Sequence, residues 1–488
     1  MAVAQTEPGL SRRQAMVVPD GTTHSVIICL FIMSLMLPII LNVGPLAMPP
    51  SRLFVLLMFF PSFGLWLSGR AGPKRAMDYL LLFAASWASL SVLFHHGIGG
   101  GYERAGFIVV EMVGGYFFGR SFVRSARDFK IYLGFAMGAL IFMLPFGLLE
   151  SQSGAPIIID ALARVFETEA VIDHEIRLGL ERAQVIFPHP ILYGVFCAAM
   201  LGVVVRGLNF GSGFFASAMR VGVITVNTIC SVSSGAFLMF IVQAGFLVYD
   251  RVMRTVKARW RLMLLGVILA YVFLALVADS SPSRVFVRYF TLNASTGHYR
   301  IVQFDAVMDN ILRDPLLGIG FKPWTRPHWM IPSIDNFWLV ITVRHGIPFF
   351  LAFLGGILLT MYRLGKLRFV DPMVGEMRSG YSISLGGFLL AIITVHVWSN
   401  INVWFMFFLG AGMWMFDAKQ ADAVEAPSNA RARTPAHTRN RNIDAEANEG
   451  SDDVEAETAP QAVQSRYTRF PVKPKHQRST SRPPTKGR

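Results

Sequence analysis

Apolar segments of about 20 residues recur along this chain as far as residue 416 and determine which folds it can adopt. Of its 488 residues, 53% are hydrophobic and only 16% are charged, whereas a soluble protein carries about 25% charged residues. A helix that crosses a bilayer needs about 20 consecutive, mostly apolar residues. The sequence therefore predicts an all-α membrane protein that crosses the bilayer many times.

About twelve transmembrane helices are predicted from this pattern. They cover residues 25–44, 53–69, 79–94, 105–119, 131–149, 189–205, 210–229, 233–249, 262–278, 336–361, 381–398 and 403–416. The first is predicted to be retained, because it is longer than a signal-peptide core and no A-x-A cleavage site follows it. The seventh and eighth share the uncharged run 221–249, which lies between basic residues at both ends. Because Arg206 before this run and the cluster that begins at Arg251 after it are both expected in the cytoplasm, the run must belong to two crossings, and the seventh helix must include Arg220.

Short clusters of Lys and Arg between the apolar segments predict the orientation of the helices. The clusters are Arg70, Lys74 and Arg75; Arg120, Arg124, Arg127 and Lys130; Arg251, Arg254, Lys257, Arg259 and Arg261; and Arg363, Lys366 and Arg368. With these in the cytoplasm, both termini are cytoplasmic and two long loops, residues 150–187 and 279–335, lie outside. The chain then divides into a cytoplasmic segment (1–23), a membrane domain (24–416) and a tail (417–488). The tail is rich in Ala, Pro, Arg, Glu and Ser and is predicted to be disordered.

The net charge of +14 does not indicate a nucleic-acid partner. The cations lie in short clusters between apolar runs, a pattern typical of contact with anionic lipid headgroups. Cys29, Cys197 and Cys230 all fall within apolar segments, and no spacing of metal ligands is present. The sequence therefore predicts membrane lipids as partners, and neither a disulfide framework, a metal site nor a cofactor.

The two outer loops are rich in arginine. Eight of their nine basic residues are arginines: Arg164, Arg177, Arg182, Arg284, Arg288, Arg300, Arg313 and Arg326, with Lys322 the ninth. Loops outside the cytoplasm usually carry few cations, and the planar guanidinium group binds phosphate through two parallel hydrogen bonds. The enrichment predicts a site for an anionic substrate, and a diphosphate in particular.

The second loop contains a segment with the periodicity of an amphipathic helix, residues 300–313. Asp314 and Pro315 are predicted to end it, and Gly318 and Gly320 to form a turn after it. Such a helix is expected along the membrane surface. Its apolar face would consist of Ile301, Phe304, Met308, Ile311 and Leu312, and its solvated face of Asp305, Asp309 and Arg313.

Several short motifs resemble the bacterial O-antigen ligases and polysaccharide polymerases. Residues 300–303 (RIVQ) followed by 314–320 (DPLLGIG) resemble the "R…PLLGxG" stretch of that family. Residues 334–339 (IDNFWL) and 344–348 (RHGIP) look like the family's entry into the next transmembrane helix. Upstream, the resemblance extends to residues 181–183 (ERA), 188–190 (PHP) and 233–236 (SSGA), where Ser234 occupies a position at which the family often has arginine.

The resemblance implies a GT-C-like fold and a metal-independent glycosyltransferase of the cell inner membrane. Its donor and acceptor would be undecaprenyl-diphosphate-linked glycans, with a flippase and a chain-length regulator as protein partners. Arg182 and Arg300 match the two loop arginines of the family and are the first candidates for binding the diphosphate. Arg284 and Arg288, four residues apart and so on one face of any helix there, are the second.

The base that accepts the proton of the attacking hydroxyl is open between two residues. The family usually has a histidine immediately before an asparagine, but this chain has Asp335 before Asn336, and the nearest loop histidine is His328. A carboxylate can serve as the base in inverting sugar transfer. Asp335 could instead cap the helix that follows.

Two ionisable residues fall within predicted transmembrane helices: Glu111 in the fourth and Arg344 in the tenth. Charged groups at this depth are costly and indicate either function or mutual pairing. Either these two residues bind each other across a helix contact, or one of them takes part in catalysis.

Three functions are compatible with these patterns. The first is a polymerase that joins lipid-linked repeat units in exopolysaccharide or O-antigen synthesis, and the second is a ligase that transfers the glycan to lipid A core or to protein. The third is a twelve-helix secondary transporter, because residues 69–75 faintly resemble a loop of major-facilitator carriers. That loop lacks its usual acidic residue here, and a transporter would concentrate its polar residues at mid-membrane.

Overall fold

A computed structural model describes residues 21–44, 46–171, 175–277 and 294–420. Within these ranges the chain is mostly helical. Arg284, Arg288 and nearly all of the predicted tail lie outside the described residues.

Fourteen helices and one short β-hairpin are described. The helices are α1 (Gly21–Leu35), α2 (Pro50–Leu67), α3 (Ala76–Val109), α4 (Gly115–Phe122), α5 (Ala126–Ser153), α6 (Ile157–Ala163), α7 (Pro190–Val203), α8 (Phe214–Cys230), α9 (Ser234–Val252), α10 (Arg259–Val277), α11 (Ala294–Arg313), α12 (Phe337–Lys366), α13 (Pro372–Ala391) and α14 (Ser399–Ala411). Strands β1 (Leu41–Val43) and β2 (Leu46–Met48) pair antiparallel. Single π-helical turns follow α3 (Val110–Gly114) and α7 (Val204–Leu208), and a 3₁₀ turn follows α14 (Met413–Asp417).

Seven helical stretches among the described residues are long and apolar enough to cross a membrane: Pro50–Leu67, Ala76–Phe122, Ala126–Ser153, Pro190–Leu208, Ser234–Val252, Arg259–Leu276 and Phe337–Lys366. Two shorter apolar helices, Thr23–Leu35 and Phe214–Cys230, accompany them. The prediction of an all-α membrane protein agrees with this architecture. The count of twelve crossings stays a prediction.

Two predicted spans end earlier than the apolar composition indicated. The span predicted for 25–44 stops at Leu35, because Pro38 has no N–H and cannot continue a helix. The chain then forms β1 and β2, and Ile39 pairs with Thr168 of the first long loop. The span predicted for 381–398 stops at Ala391, and residues 392–398 run without helix to α14.

The third and fourth predicted spans are two arms of one helical stretch that folds back on itself. At Gly97 the backbone leaves the helical region, with φ 68° and ψ 174°. Asp78 on the first arm accepts a hydrogen bond from Tyr116 (2.6 Å) and forms an ion pair with Arg120 (3.1 Å), both on the second arm. Because residues 38 and 42 positions apart are in contact, the arms run antiparallel, with the reversal at Gly97.

A break within α12 is filled by the loop that follows α11. Gly346 has φ +82° and Pro348 lacks an N–H, so the helical hydrogen bonds are interrupted there. The segment 314–320 supplies replacements: Ile319 and Gly320 donate to the carbonyls of Val343 (2.8 Å) and Arg344 (2.9 Å). In return Ile347 donates to the carbonyl of Pro315 (2.7 Å). We call residues 314–320 the plug segment.

The plug segment is also held by the first arm of α3. Trp87 Nε1 donates to the carbonyl of Leu316 (3.0 Å), and Ser91 Oγ donates to that of Leu317 (2.5 Å). Gly318 and Gly320 both have φ +63°, the left-handed turn predicted for these glycines. Irregular backbone inside a membrane protein is stable only where its polar groups find partners, and here the partners come from α3 and α12.

Hydrogen bonds and ion pairs bring the basic clusters together at one end of the helix bundle, which we call the basic end. Arg120 donates to the carbonyl of Pro73, Arg378 to that of Leu367 (3.0 Å) and Val370 to that of Lys419 (3.3 Å). Arg75 pairs with Asp417 (2.5 Å), Arg206 with Asp250 and Glu376, and Arg259 with Asp250 (2.7 Å). The described parts of the long loops (150–171, 175–187 and 294–335) and the plug segment lie at the opposite end, the loop end. The clusters predicted on sequence to share one face of the membrane thus lie at one end of the bundle.

We predict that Gly346→Ala destabilises the protein. A β-carbon at this position would overlap the carbonyl oxygen of Leu316, and left-handed backbone costs a residue with a side chain about 1–2 kcal/mol. The thermal unfolding midpoint of the purified protein in detergent should fall. Gly355→Ala is the matched control, because Gly355 lies in the same helix and a β-carbon added there would meet open space, with no neighbouring atom within 4 Å. Equal midpoints for the two variants would contradict the role of the break.

Candidate functional site

Two adjoining cavities open at the loop end. Cavity A, about 570 Å³, lies between the plug segment, the loop 321–335 and the non-helical stretch 392–398. Cavity B, about 380 Å³, lies between α3, α12 and the start of α14. Both are lined by Phe321, Val340, Arg344, His396 and Trp398. One wall therefore serves both cavities, and a ligand could extend from one into the other.

Asp335 lines cavity A. Within the described part of the chain its carboxylate makes no hydrogen bond and no ion pair. Burial raises the pKa of Asp335, and the nearby charge of Arg300 opposes that rise. A carboxylate with a raised pKa is a better proton acceptor than a fully solvated one.

Two buried amide side chains of α11 hold the loop that carries Asp335. The Gln303 side chain donates to the carbonyl of Ser333 (2.8 Å) and accepts from the backbone N–H of Asp335 (3.0 Å). Asn310 exchanges two hydrogen bonds with the backbone of Thr325 (2.8 and 2.9 Å). The buried face of α11 therefore includes these two amides beside Val307 and Ile311.

The predicted helix ends at Arg313, as its sequence indicated. Its apolar face was predicted only in part: Ile311 is buried, but Phe304 and Leu312 are exposed. Apolar spacing could not reveal that the buried face contains two amides. Asp305, Asp309 and Arg313 lie on the exposed face, as expected.

Asn336, and not Asp335, caps α12. The side chain of Asn336 accepts a hydrogen bond from the N–H of Leu339 (3.1 Å). The alternative interpretation of Asp335 as the helix cap is therefore wrong. Asn336 takes that role because its side chain lies one residue closer to the first turn, which leaves the Asp335 carboxylate facing cavity A.

Arg182 and Arg300 both lie near the charge of Arg177, but they line neither cavity. Burial, together with the charge of Arg177, lowers the pKa of Arg182 to about 10. Burial also lowers the pKa of Arg300, with Asp335 opposing this effect and Arg177 adding to it. In both guanidinium groups Nε is buried without a hydrogen-bond partner among the described residues. The structure thus brings both arginines near Arg177, and Arg300 near Asp335.

Three cations line cavity A instead: Lys322, Arg326 and Arg344. Arg326 donates through Nε to the carbonyl of Met330 (2.9 Å), and Lys322 approaches Nδ1 of His95 (3.4 Å). Among the described residues none of the three forms an ion pair with a carboxylate. Arg344 is the one of the three that also lines cavity B.

The predicted mutual pairing of Glu111 and Arg344 is not formed. Glu111 instead pairs with Arg52 (2.6 Å) and accepts a hydrogen bond from Asn402 (2.8 Å). Arg344 contacts the face of the Phe321 ring, with the guanidinium carbon 4.8 Å from the ring centre. Arg52 lies directly before the second apolar segment and Asn402 directly before the last, so sequence spacing gave no sign of their contact with Glu111.

His328 is exposed and lines neither cavity, so the structure does not bring it together with Asp335. The histidines at the cavities are others: His189 in A, His345 in B and His396 in both. His396 stacks between the rings of Phe337 (6.0 Å) and Trp398 (5.7 Å). Its Nδ1 is buried without a hydrogen bond to any described residue.

The described residues contain no cluster of three or more His, Cys, Asp or Glu side chains that could hold a metal ion. No protein-family model matches the chain, and no curated protein matches its sequence.

We predict that Gln303→Ala loosens the loop that carries Asp335. The substitution leaves the Asp335 N–H and the Ser333 carbonyl without their partner, at a cost of about 1–3 kcal/mol for buried groups. Hydrogen–deuterium exchange of residues 330–335 should become faster. Asp309→Ala, on the exposed face of the same helix, is the control and should leave that exchange unchanged. Identical exchange in both variants would show that Gln303 does not position the loop.

Proposed function

We propose that the protein is a polysaccharide polymerase that joins undecaprenyl-diphosphate-linked repeat units at the outer face of the inner membrane. The observation that carries this proposal is that one cavity is lined both by the carboxylate of Asp335 and by three cations, Lys322, Arg326 and Arg344, with no ion pair formed by any of the four within the described residues. Such an arrangement suits a reaction in which a hydroxyl loses a proton while a phosphorylated group leaves with negative charge.

The reaction forms one bond and breaks another at the same carbon. The acceptor hydroxyl oxygen bonds to the anomeric carbon of the donor glycan, and its proton passes to the carboxylate of Asp335. The bond between the anomeric carbon and the diphosphate oxygen breaks, and its electron pair leaves with the lipid diphosphate. No oxidant, reductant or metal-bound group is required for this balance.

Fixed cations lower the barrier because charge grows on the leaving diphosphate as that bond breaks. Guanidinium groups that are already oriented need no rearrangement at that moment. Arg344, which forms no ion pair within the described chain, is the best placed of them. Arg182 and Arg300 line neither cavity, and in this proposal they raise the positive potential and keep Asp335 ionised.

The resemblance of residues 300–348 to O-antigen ligases and polysaccharide polymerases supports this assignment in one further way. The family-like motifs 314–320 and 344–348 are distant from each other in sequence, but they form the plug segment and the break that it fills. Motifs that resemble one family thus meet at one place, directly beside both cavities.

In this proposal the chain crosses the membrane twelve times, with a defined orientation. Twelve crossings place the basic end in the cytoplasm together with both termini, and they place the loops 150–187 and 279–335 outside. The clustering of basic residues at one end of the bundle and of the cavities at the other supports this orientation.

Cysteine labelling in intact cells tests the topology. Ile176→Cys, exposed at the loop end, should react with a membrane-impermeant maleimide before lysis, whereas Thr255→Cys, exposed at the basic end, should react only after lysis. The three native cysteines lie within apolar helices and provide a low background. Labelling of Thr255→Cys in intact cells, with Ile176→Cys protected, would reverse the orientation and remove the loop-end cavities from the outer face.

Replacing the proposed base tests the function. Asp335→Asn keeps the size of the side chain but removes its basicity, so long surface glycan chains should be lost, with roughly a hundredfold fall or more in transfer rate. His328→Asn is the control and should keep near-normal chains. Analysis of surface glycans measures both. Normal chains in Asp335→Asn cells would contradict the assignment, and finished polymer accumulating on its lipid carrier would identify a ligase.

A further inference from the structure

We infer that cavity B binds the lipid diphosphate itself, held by Arg104 and Arg344, whose guanidinium groups both contact the Phe321 ring. This inference rests on the proposed function, which it makes more specific. It assigns the sugar and the acceptor to cavity A, and the diphosphate with the first part of its lipid to cavity B.

The first observation is that two guanidinium groups converge on one aromatic ring. The guanidinium carbon of Arg344 lies 4.8 Å from the centre of the Phe321 ring, and that of Arg104 lies 5.5 Å from it. An aromatic face attracts a cation without neutralising its charge. The Phe321 ring therefore contacts both cations and leaves their charge available to an anion.

The second observation concerns the charge balance of cavity B. Its third arginine, Arg52, is neutralised by Glu111 at 2.6 Å. Arg104 and Arg344 form no ion pair with any described carboxylate; Arg104 contacts Nδ1 of His96 (3.4 Å) besides the ring. Two unneutralised guanidinium groups in one half-enclosed cavity create a strong preference for an anion with two negative groups.

The third observation is a buried histidine beside this pair. His345 is 6% exposed, and its Nδ1 has no hydrogen-bond partner among the described residues. It lines cavity B next to Arg344. A buried polar atom without a partner is unfavourable unless a ligand or water satisfies it, and the structure offers no described side chain for that purpose.

The remaining walls of cavity B favour a lipid over a free nucleotide or inorganic diphosphate. Most of them are apolar: Phe107, Ile108, Met112, Phe349, Phe353 and Met406, with Glu111, Ser399 and Asn402 as polar exceptions. An isoprenoid chain can lie along these residues while the diphosphate meets the arginines. The wall shared with cavity A, which includes Trp398 and His396, then lies where the first sugar joins the diphosphate and provides rings on which that sugar can stack.

Binding of farnesyl diphosphate to the purified full-length protein in nanodiscs tests this site. The wild-type protein should bind farnesyl diphosphate roughly tenfold or more tightly than farnesyl monophosphate. Arg104→Lys and Arg344→Lys keep the charge but lose the two-point grip, so each should raise the Kd for the diphosphate about tenfold or more. Arg313→Lys, exposed at the end of α11 and lining neither cavity, is the control and should bind like the wild type.

Thermal unfolding midpoints equal to that of the wild type show that a loss of binding is not a loss of folding. Wild-type affinity in both Arg104→Lys and Arg344→Lys, or equal affinity of the wild type for the two farnesyl phosphates, would overturn the inference. Asp335→Asn separates this site from the proposed function. If the arginine variants weaken binding but Asp335→Asn cells make normal long chains, the diphosphate site stands and the polymerase assignment falls. If Asp335→Asn cells lose their chains but the arginine variants bind normally, the polymerase assignment stands and the diphosphate site falls.

Discussion

The arrangement of the loop end depends on how the broken backbone of α12 is satisfied. At Gly346 the helical hydrogen bonds stop, and an unpaired amide in an apolar environment costs several kcal/mol. The plug segment removes this cost by donating Ile319 and Gly320 N–H groups and accepting that of Ile347. Two glycines in the left-handed region make the close approach possible. A loop that would otherwise be free on the surface is thereby attached to the interior of the bundle.

That attachment positions the side chains that line the two cavities. Phe321 follows the plug segment directly, so its ring lies against Arg344 and its N–H donates to Nε2 of His96 (2.9 Å). From there the chain turns around Trp324 and returns to Asp335, held by Gln303 and Asn310 of α11. A helix break, a plug and an amphipathic helix thus bring a carboxylate and several cations to the wall of one pair of cavities.

The sequence was most informative where local composition decides structure. Apolar length predicted a helical membrane protein, Asp314 and Pro315 marked the end of α11, and Gly318 and Gly320 marked the turn. It was least informative where a side chain's position depends on contact with a residue distant in the sequence. Glu111 pairs with Arg52 because α2 packs beside the second arm of the α3 hairpin, and Arg104 and Arg344 meet only through Phe321. The spacing of residues within one helix cannot reveal such contacts. Likewise, loop arginine content favoured Arg182 and Arg300, but the cavities are lined by cations that the helix break and its plug bring together.

Reconstitution of the purified protein with a synthetic undecaprenyl-diphosphate-linked glycan distinguishes glycosyl transfer from transport. The quantity to measure is the lipid diphosphate released per glycosidic bond formed. We expect chains to lengthen and one lipid diphosphate to be released with each new linkage. Movement of the glycan across the vesicle membrane with no release of lipid diphosphate would contradict it and would identify a transporter.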